Sequence, residues 1–82
     1  MISIRQVKAA RALVAWSQGE LAEASGVSEP TIARLESVDG PIGGRAETGE
    51  KLVAALKKAG VEFIPENGGG AGVRMKRRGK IK

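Results

Sequence analysis

The stretch from Ser17 to Glu36, SQGELAEASGVSEPTIARLE, leaves a chain few ways to fold. It reads as two short helices meeting at a sharp turn. Ser17 and Glu20 stand at the spacing where a hydroxyl accepts from one orphan backbone N–H and a carboxylate accepts from another. Gly26 ends the first helix, where a residue at positive φ is needed and glycine has no Cβ to clash. Ser28 caps the second helix, and Pro30 falls in its first turn, where no intrahelical N–H bond is lost. Leu21, Ala22, Val27, Ile32 and Leu35 form one apolar face across the corner, and Ala22 is small enough for two helices to approach closely.

The flanking sequence supplies what this pair needs to bury itself. Ile4 to Trp16 reads as a helix with Val7, Ala10, Leu13 and Val14 on its core side and Arg5, Lys8 and Arg11 on the other. Trp16, one of two aromatic residues, is expected to close the core over the next helix. Ser37 to Ala46 is a loop by its Asp39-Gly40-Pro41 and Gly43-Gly44 punctuation, with Ile42 as its apolar anchor. Glu47 to Ala59 is a further helix, with acid in its first turn and Lys57 and Lys58 in its last, matching the helix dipole. Leu52, Val53, Leu56 and Ala59 are its buried stripe, and Gly60 stops it. Beyond Gly60 the period changes: Val61 to Ile64 and Ala71 to Met75 read as short strands around a glycine-rich turn. The expected fold class is all-α: a four-helix domain over 1–60, a strand–turn–strand extension over 61–75 and a flexible basic tail over 76–82.

At 82 residues this is one domain, near the lower size limit for a self-sufficient core. The chain has no cysteine and no histidine. That removes disulfides, thiolate metal sites, and the commonest metal ligand and general base. Its serines, lysines and carboxylates form no recognisable catalytic arrangement, so neither enzymatic activity nor a cofactor or metal is expected. No apolar run approaches the roughly 20 residues of a membrane span. Arg5, Lys8 and Arg11 interrupt any signal-peptide core, so the expectation is a cytoplasmic protein without a membrane partner.

The net charge of +5 is unevenly placed. Residues 1–60 hold 8 Lys/Arg against 7 Asp/Glu, whereas residues 61–82 hold 6 against 2. The helical body is close to neutral, and the basic character sits in the last third.

Gln18, Leu21-Ala22, Gly26-Val27-Ser28, Ile32, Leu35 and Glu36 together resemble the phage-repressor-like helix-turn-helix family over roughly the first 60 residues. The resemblance implies a small transcriptional regulator whose helix from Ser28 to Glu36 enters the major groove of double-stranded DNA. Gln18 would hydrogen-bond a phosphate, and Ser28, Glu29, Pro30, Thr31, Ala33 and Arg34 would form the exposed reading surface. Arg34 is the residue able to make two bonds to a guanine edge. Arg45 would add a phosphate contact, and Arg74, Lys76, Arg77, Arg78 and Lys80 are candidates for a basic arm. Family members are mostly dimeric, so a homodimer is a further expectation. One feature departs from the family pattern: Ser28 to Glu36 carries Arg34 against Glu29 and Glu36. A reading helix that is acidic on balance supports a second expectation, in which the same surface captures a protein, a transcription factor or a toxin. Glu36 is expected to serve as a structural carboxylate toward the loop or the first helix.

Overall fold

The computed structural model describes residues 2–76. Arg77, Arg78 and Lys80 of the candidate arm, and the expectation of a disordered tail, lie outside the described residues. Four helices, α1 (Ile4–Leu13), α2 (Gln18–Ser25), α3 (Glu29–Glu36) and α4 (Ala46–Lys58), precede an antiparallel hairpin of β1 (Val61–Ile64) and β2 (Gly72–Met75).

Local chemistry sets the helix ends. Ser3 and Gln6 form a capping box on α1, and Ser17 and Glu20 form one on α2. Gly26 closes α2 at φ 79°, and the Ser28 hydroxyl accepts from Thr31 N–H at the start of α3. The first helix ends at Leu13, shorter than the periodicity suggests. Ala15 adopts φ 59°, Ala15 N–H bonds Ala12 O, and Trp16 N–H bonds Arg11 O. That is the paired-bond helix stop usually built on glycine, here carried by an alanine. The turn brings Trp16 only half into the core, and leaves Leu13 on the flank, 45% exposed, contrary to the stripe expected of it.

Inside the corner, Ile4, Val7 and Ala10 of α1 meet Leu21, Val27, Ile32, Leu35, and Leu52, Ala55 and Leu56 of α4. Val61 caps this core from β1 and is fully buried. Ile42 anchors its loop as expected. It lies on Gly49 of α4, where a Cβ would come within 3.3 Å of Ile42. A glycine in mid-helix weakens the helix, and here the missing side chain makes room for the loop. The same loop is pinned to the N-terminal segment by Ile4 N–H to Gly40 O at 2.8 Å. Val53, expected on the buried stripe, is only half-buried and lines an open groove with Ile2 and Ile42.

The hairpin docks on its own chain, against α1 and α4. Its register pairs Val61 with Met75 and Ile64 with Gly72. Gln6, which is 5% exposed, ties it to α1 with both ends of one amide. Its oxygen accepts from Ser3 N–H, while its nitrogen donates to Gly72 O at 2.9 Å and Ile64 O at 3.3 Å. Phe63 and Val73 are partly buried and pack against the core from the two strands.

Two substitutions test these joints by urea unfolding. Ala15→Gly should stabilise the fold by about 1 kcal/mol, because it relieves the left-handed strain of a residue with a Cβ. Gln6→Ala should cost about 2 kcal/mol through two carbonyls and a cap left unpaired. Gln6→Glu should cost more still, since it points a carboxylate at two carbonyl oxygens. In both Gln6 variants, amide exchange should quicken first in the hairpin.

Candidate nucleic-acid interface

One polar cluster holds α1, α2 and α3 together at the foot of the corner. Arg11 Nε and Nη2 donate to the two carboxylate oxygens of Glu36 at 2.9 and 2.8 Å. Gln18 Nε2 donates to the same carboxylate at 3.0 Å. The third guanidinium nitrogen of Arg11 donates to Trp16 O at 2.9 Å. Arg11 therefore braces the turn after α1 and clamps the end of α3 with one side chain. The Glu36 side chain is 4% exposed and that of Arg11 is 23% exposed. Burial would push the Glu36 carboxyl up, but the bonds from Arg11 and Gln18 outweigh it and hold it below the usual carboxylate range. Glu36 is the structural carboxylate the sequence indicated. Its partner is the surprise, because Arg11 reads as a solvent-side residue by periodicity, and the spacing of 25 residues gives no local signal.

Withdrawing Glu36 inward changes the charge that α3 presents. Ser28, Glu29, Pro30, Ala33 and Arg34 are exposed and Thr31 is half-buried, so the outward face carries one acid and one base. The Ser28 hydroxyl donates to Thr31 Oγ1 at 2.8 Å, which ties the first turn of that face together. The Glu29 carboxylate folds back over the start of α2. A Cβ built on Gly19 would lie 3.4 Å from Glu29 Oε1, so the glycine leaves the space the carboxylate fills. Gln18, exposed only in part, stands at that same helix start.

The other candidate residues are placed differently. Arg45 is exposed at the head of α4, beyond the loop. Arg74 stands in β2, where Nε and Nη2 donate to the Glu62 carboxylate at 3.0 and 3.3 Å across the hairpin. It is a cross-strand partner in this structure. Lys76 continues the ladder through its N–H to Gly60 O at 2.7 Å. Arg5 similarly pairs with Asp39 at 3.1 Å on the surface of the loop. Among the described residues, no group of acidic, histidine or cysteine side chains is placed to hold a metal ion, and no helix is long and apolar enough to cross a membrane.

The arrangement has a counterpart among known families. The model of a helix-turn-helix family matches residues 7–38, from the first helix to the end of α3. This segment is similar to that helix-turn-helix family. The family is one of DNA-binding transcriptional regulators. A comparison with curated proteins returns no match. In the helix-turn-helix frame, α2 and α3 are the two motif helices, and the Arg11–Glu36–Gln18 cluster lies at the junction that sets their angle.

That cluster predicts a pH dependence. A carboxyl whose folded-state value is lowered contributes stability that is complete above its unfolded value, about 4.3, and is lost as pH falls through the folded one. Unfolding free energy measured from pH 7 to pH 2 should therefore fall on the acid side. Glu36→Gln should cost about 3 kcal/mol at neutral pH by leaving Arg11 without its countercharge, and should flatten the acid limb.

Proposed function

We propose that this protein is a small transcriptional regulator that binds operator DNA by laying α3 in the major groove. The observation that carries this reading is the outward face of α3. It is solvent-exposed along Ser28, Glu29, Pro30, Ala33 and Arg34, while its other side is locked into the core by Ile32, Leu35 and Glu36. A rigid helix with one free polar face beside the start of a second helix is what groove reading requires. Arg34 is the base-reading residue, with a planar fork suited to guanine O6 and N7. Gln18 spends one N–H on Glu36, which leaves its second N–H for a phosphate oxygen. Ser28 and Thr31 serve the edge of the groove, and Arg45 contributes charge from the far side of the loop. Lys76, with Arg77, Arg78 and Lys80 beyond it, supplies the remaining phosphate attraction.

A second reading is favoured by Glu29. Its carboxylate over the α2 start occupies the place where a phosphate would approach, and the α3 face has no net charge. Both features suit a protein partner, a transcription factor or a toxin, docked on the same surface with little DNA binding.

Fluorescence anisotropy with a DNA library drawn from the region upstream of the protein's own gene separates the two. Under the DNA reading, selected sequences bind specifically, affinity falls steeply with salt, and Arg34→Ala costs about 1–3 kcal/mol while relaxing one base position. Glu29→Gln should tighten binding by removing the carboxylate from the phosphate path. Absence of binding at micromolar protein and low salt overturns this reading in favour of the protein partner.

A further inference from the structure

The turn between β1 and β2 carries the one asparagine of the chain, Asn67, and a glycine follows it. An asparagine side-chain amide can close a five-membered ring onto the next backbone nitrogen, and packing and hydrogen bonds are what keep the two apart. At this turn neither does. Asn67 and Gly68 are both exposed. Among the described residues the Asn67 side-chain amide has no hydrogen-bond partner, and Gly68 N–H has none either. The Asn67 N–H bonds Gly69 O at 3.3 Å, which curls the backbone around Gly68. Gly68 sits at φ 87° with no side chain to shield its own nitrogen. A Cβ built on Gly68 or Gly69 would meet no other part of the protein within 4 Å. Asp39-Gly40 has the same following glycine but a different setting. Its carboxylate accepts two bonds from Arg5, at 3.4 and 3.1 Å. Those bonds hold the carboxyl below its usual range, and an ionised carboxylate resists attack by an amide nitrogen. Gly40 is tied down as well, through its carbonyl to Ile4 N–H.

We infer that Asn67 is a modification site, at which the folded protein deamidates without an enzyme. Base takes the proton from Gly68 N–H, and that nitrogen forms a bond to Asn67 Cγ. The Cγ–Nδ2 bond breaks, and the leaving nitrogen takes up a proton to depart as ammonia. Water then opens the succinimide at one of its two carbonyls. Opening at Cγ gives aspartate. Opening at the main-chain carbon gives isoaspartate, with the chain now running through Cβ and Cγ. Either way Gly68 regains its N–H, and the sum is one water consumed and one ammonia released. A carboxylate stands where the chain had a neutral amide. That one negative charge takes the net from +5 to +4, and residues 61–82 then hold 6 Lys/Arg against 3 acids instead of 2. The extra backbone atom of isoaspartate stays within the turn. At its base Ile64 pairs with Gly72, and Gln6 Nε2 binds the carbonyls of both. The tip changes charge and length while the hairpin keeps its place, and none of this depends on what α3 binds.

Holding the full chain for days at physiological temperature in mildly alkaline buffer tests it. Peptide mass spectrometry and methyl transfer by a protein isoaspartyl methyltransferase read the outcome. Residue 67 should gain the mass of water less that of ammonia, and the isoaspartate product should accept methyl groups. The folded chain should convert within a few-fold of the rate seen in guanidinium chloride, because the fold gives the site no cover. Asp39 should form isoaspartate only in the unfolded chain. Asn67→Gln should abolish the change at 67, since a six-membered ring closes far more slowly, and Gly68→Ala should slow it severalfold. Thermal melts of the aged wild type and of Asn67→Gln should coincide with that of the fresh chain. An Asn67 that stays intact in the folded chain while it converts in guanidinium chloride overturns the inference. So does a conversion indifferent to Gly68→Ala, or isoaspartate forming at 39 as fast as at 67 in the folded chain.

Discussion

The bidentate bond between Arg11 and Glu36 is the constraint on which the arrangement of the first three helices depends. A carboxylate 4% exposed is tolerated only with its charge matched and its lone pairs filled, and Arg11 and Gln18 do both. The desolvation cost of such a pair offsets much of its attraction, so its value lies less in net stability than in geometry. The planar guanidinium fixes the end of α3 relative to α1 in direction as well as distance. Because the same guanidinium holds Trp16 O, the turn into α2 is fixed by the same group. Apolar packing among Val7, Leu21, Ile32 and Leu56 brings the helices together, and the polar cluster selects one crossing among those the packing would accept.

The same cluster settles the charge of the outward face of α3. Counted along the chain, α3 is acidic on balance. In space, Glu36 belongs to Arg11 and the face is neutral. Under the DNA reading proposed above, affinity for an anionic backbone comes from outside α3, from Arg45 and from the basic residues after β2. On that proposal α3 would discriminate and other segments would attract, which is how phosphate and base contacts commonly share the work on DNA.

Local rules made much of the fold legible. The serine caps at 17 and 28, Gly26 and Gly60 at the helix ends, Pro30 in a first turn and the apolar register of α2, α3 and α4 all depend on residues within one turn of each other. What escaped a linear reading was of two kinds. One is polar pairing across the chain: Arg11 to Glu36 and Gln6 to Gly72 join residues whose spacing carries no signal. The other is a helix stop without its usual residue, at Ala15, which made α1 look longer and Leu13 look buried. For the site, the exposed residues of α3 could be named in advance because helical period separates them from Ile32 and Leu35. The withdrawal of Glu36, the fold-back of Glu29 over Gly19 and the pairing of Arg74 with Glu62 required the structure.

The amide of Gln6 has a consequence for the order in which the domain comes into being. Its partners, Ile64 O and Gly72 O, are 58 and 66 residues downstream. During synthesis from the N-terminus, the whole helical body is made while this donor still has only water to bond. Closing so long a loop is slow relative to helix formation, so the hairpin is the last piece to seat. Until it does, Val61 leaves one side of the core wet. The last strand to be made completes the helix made first.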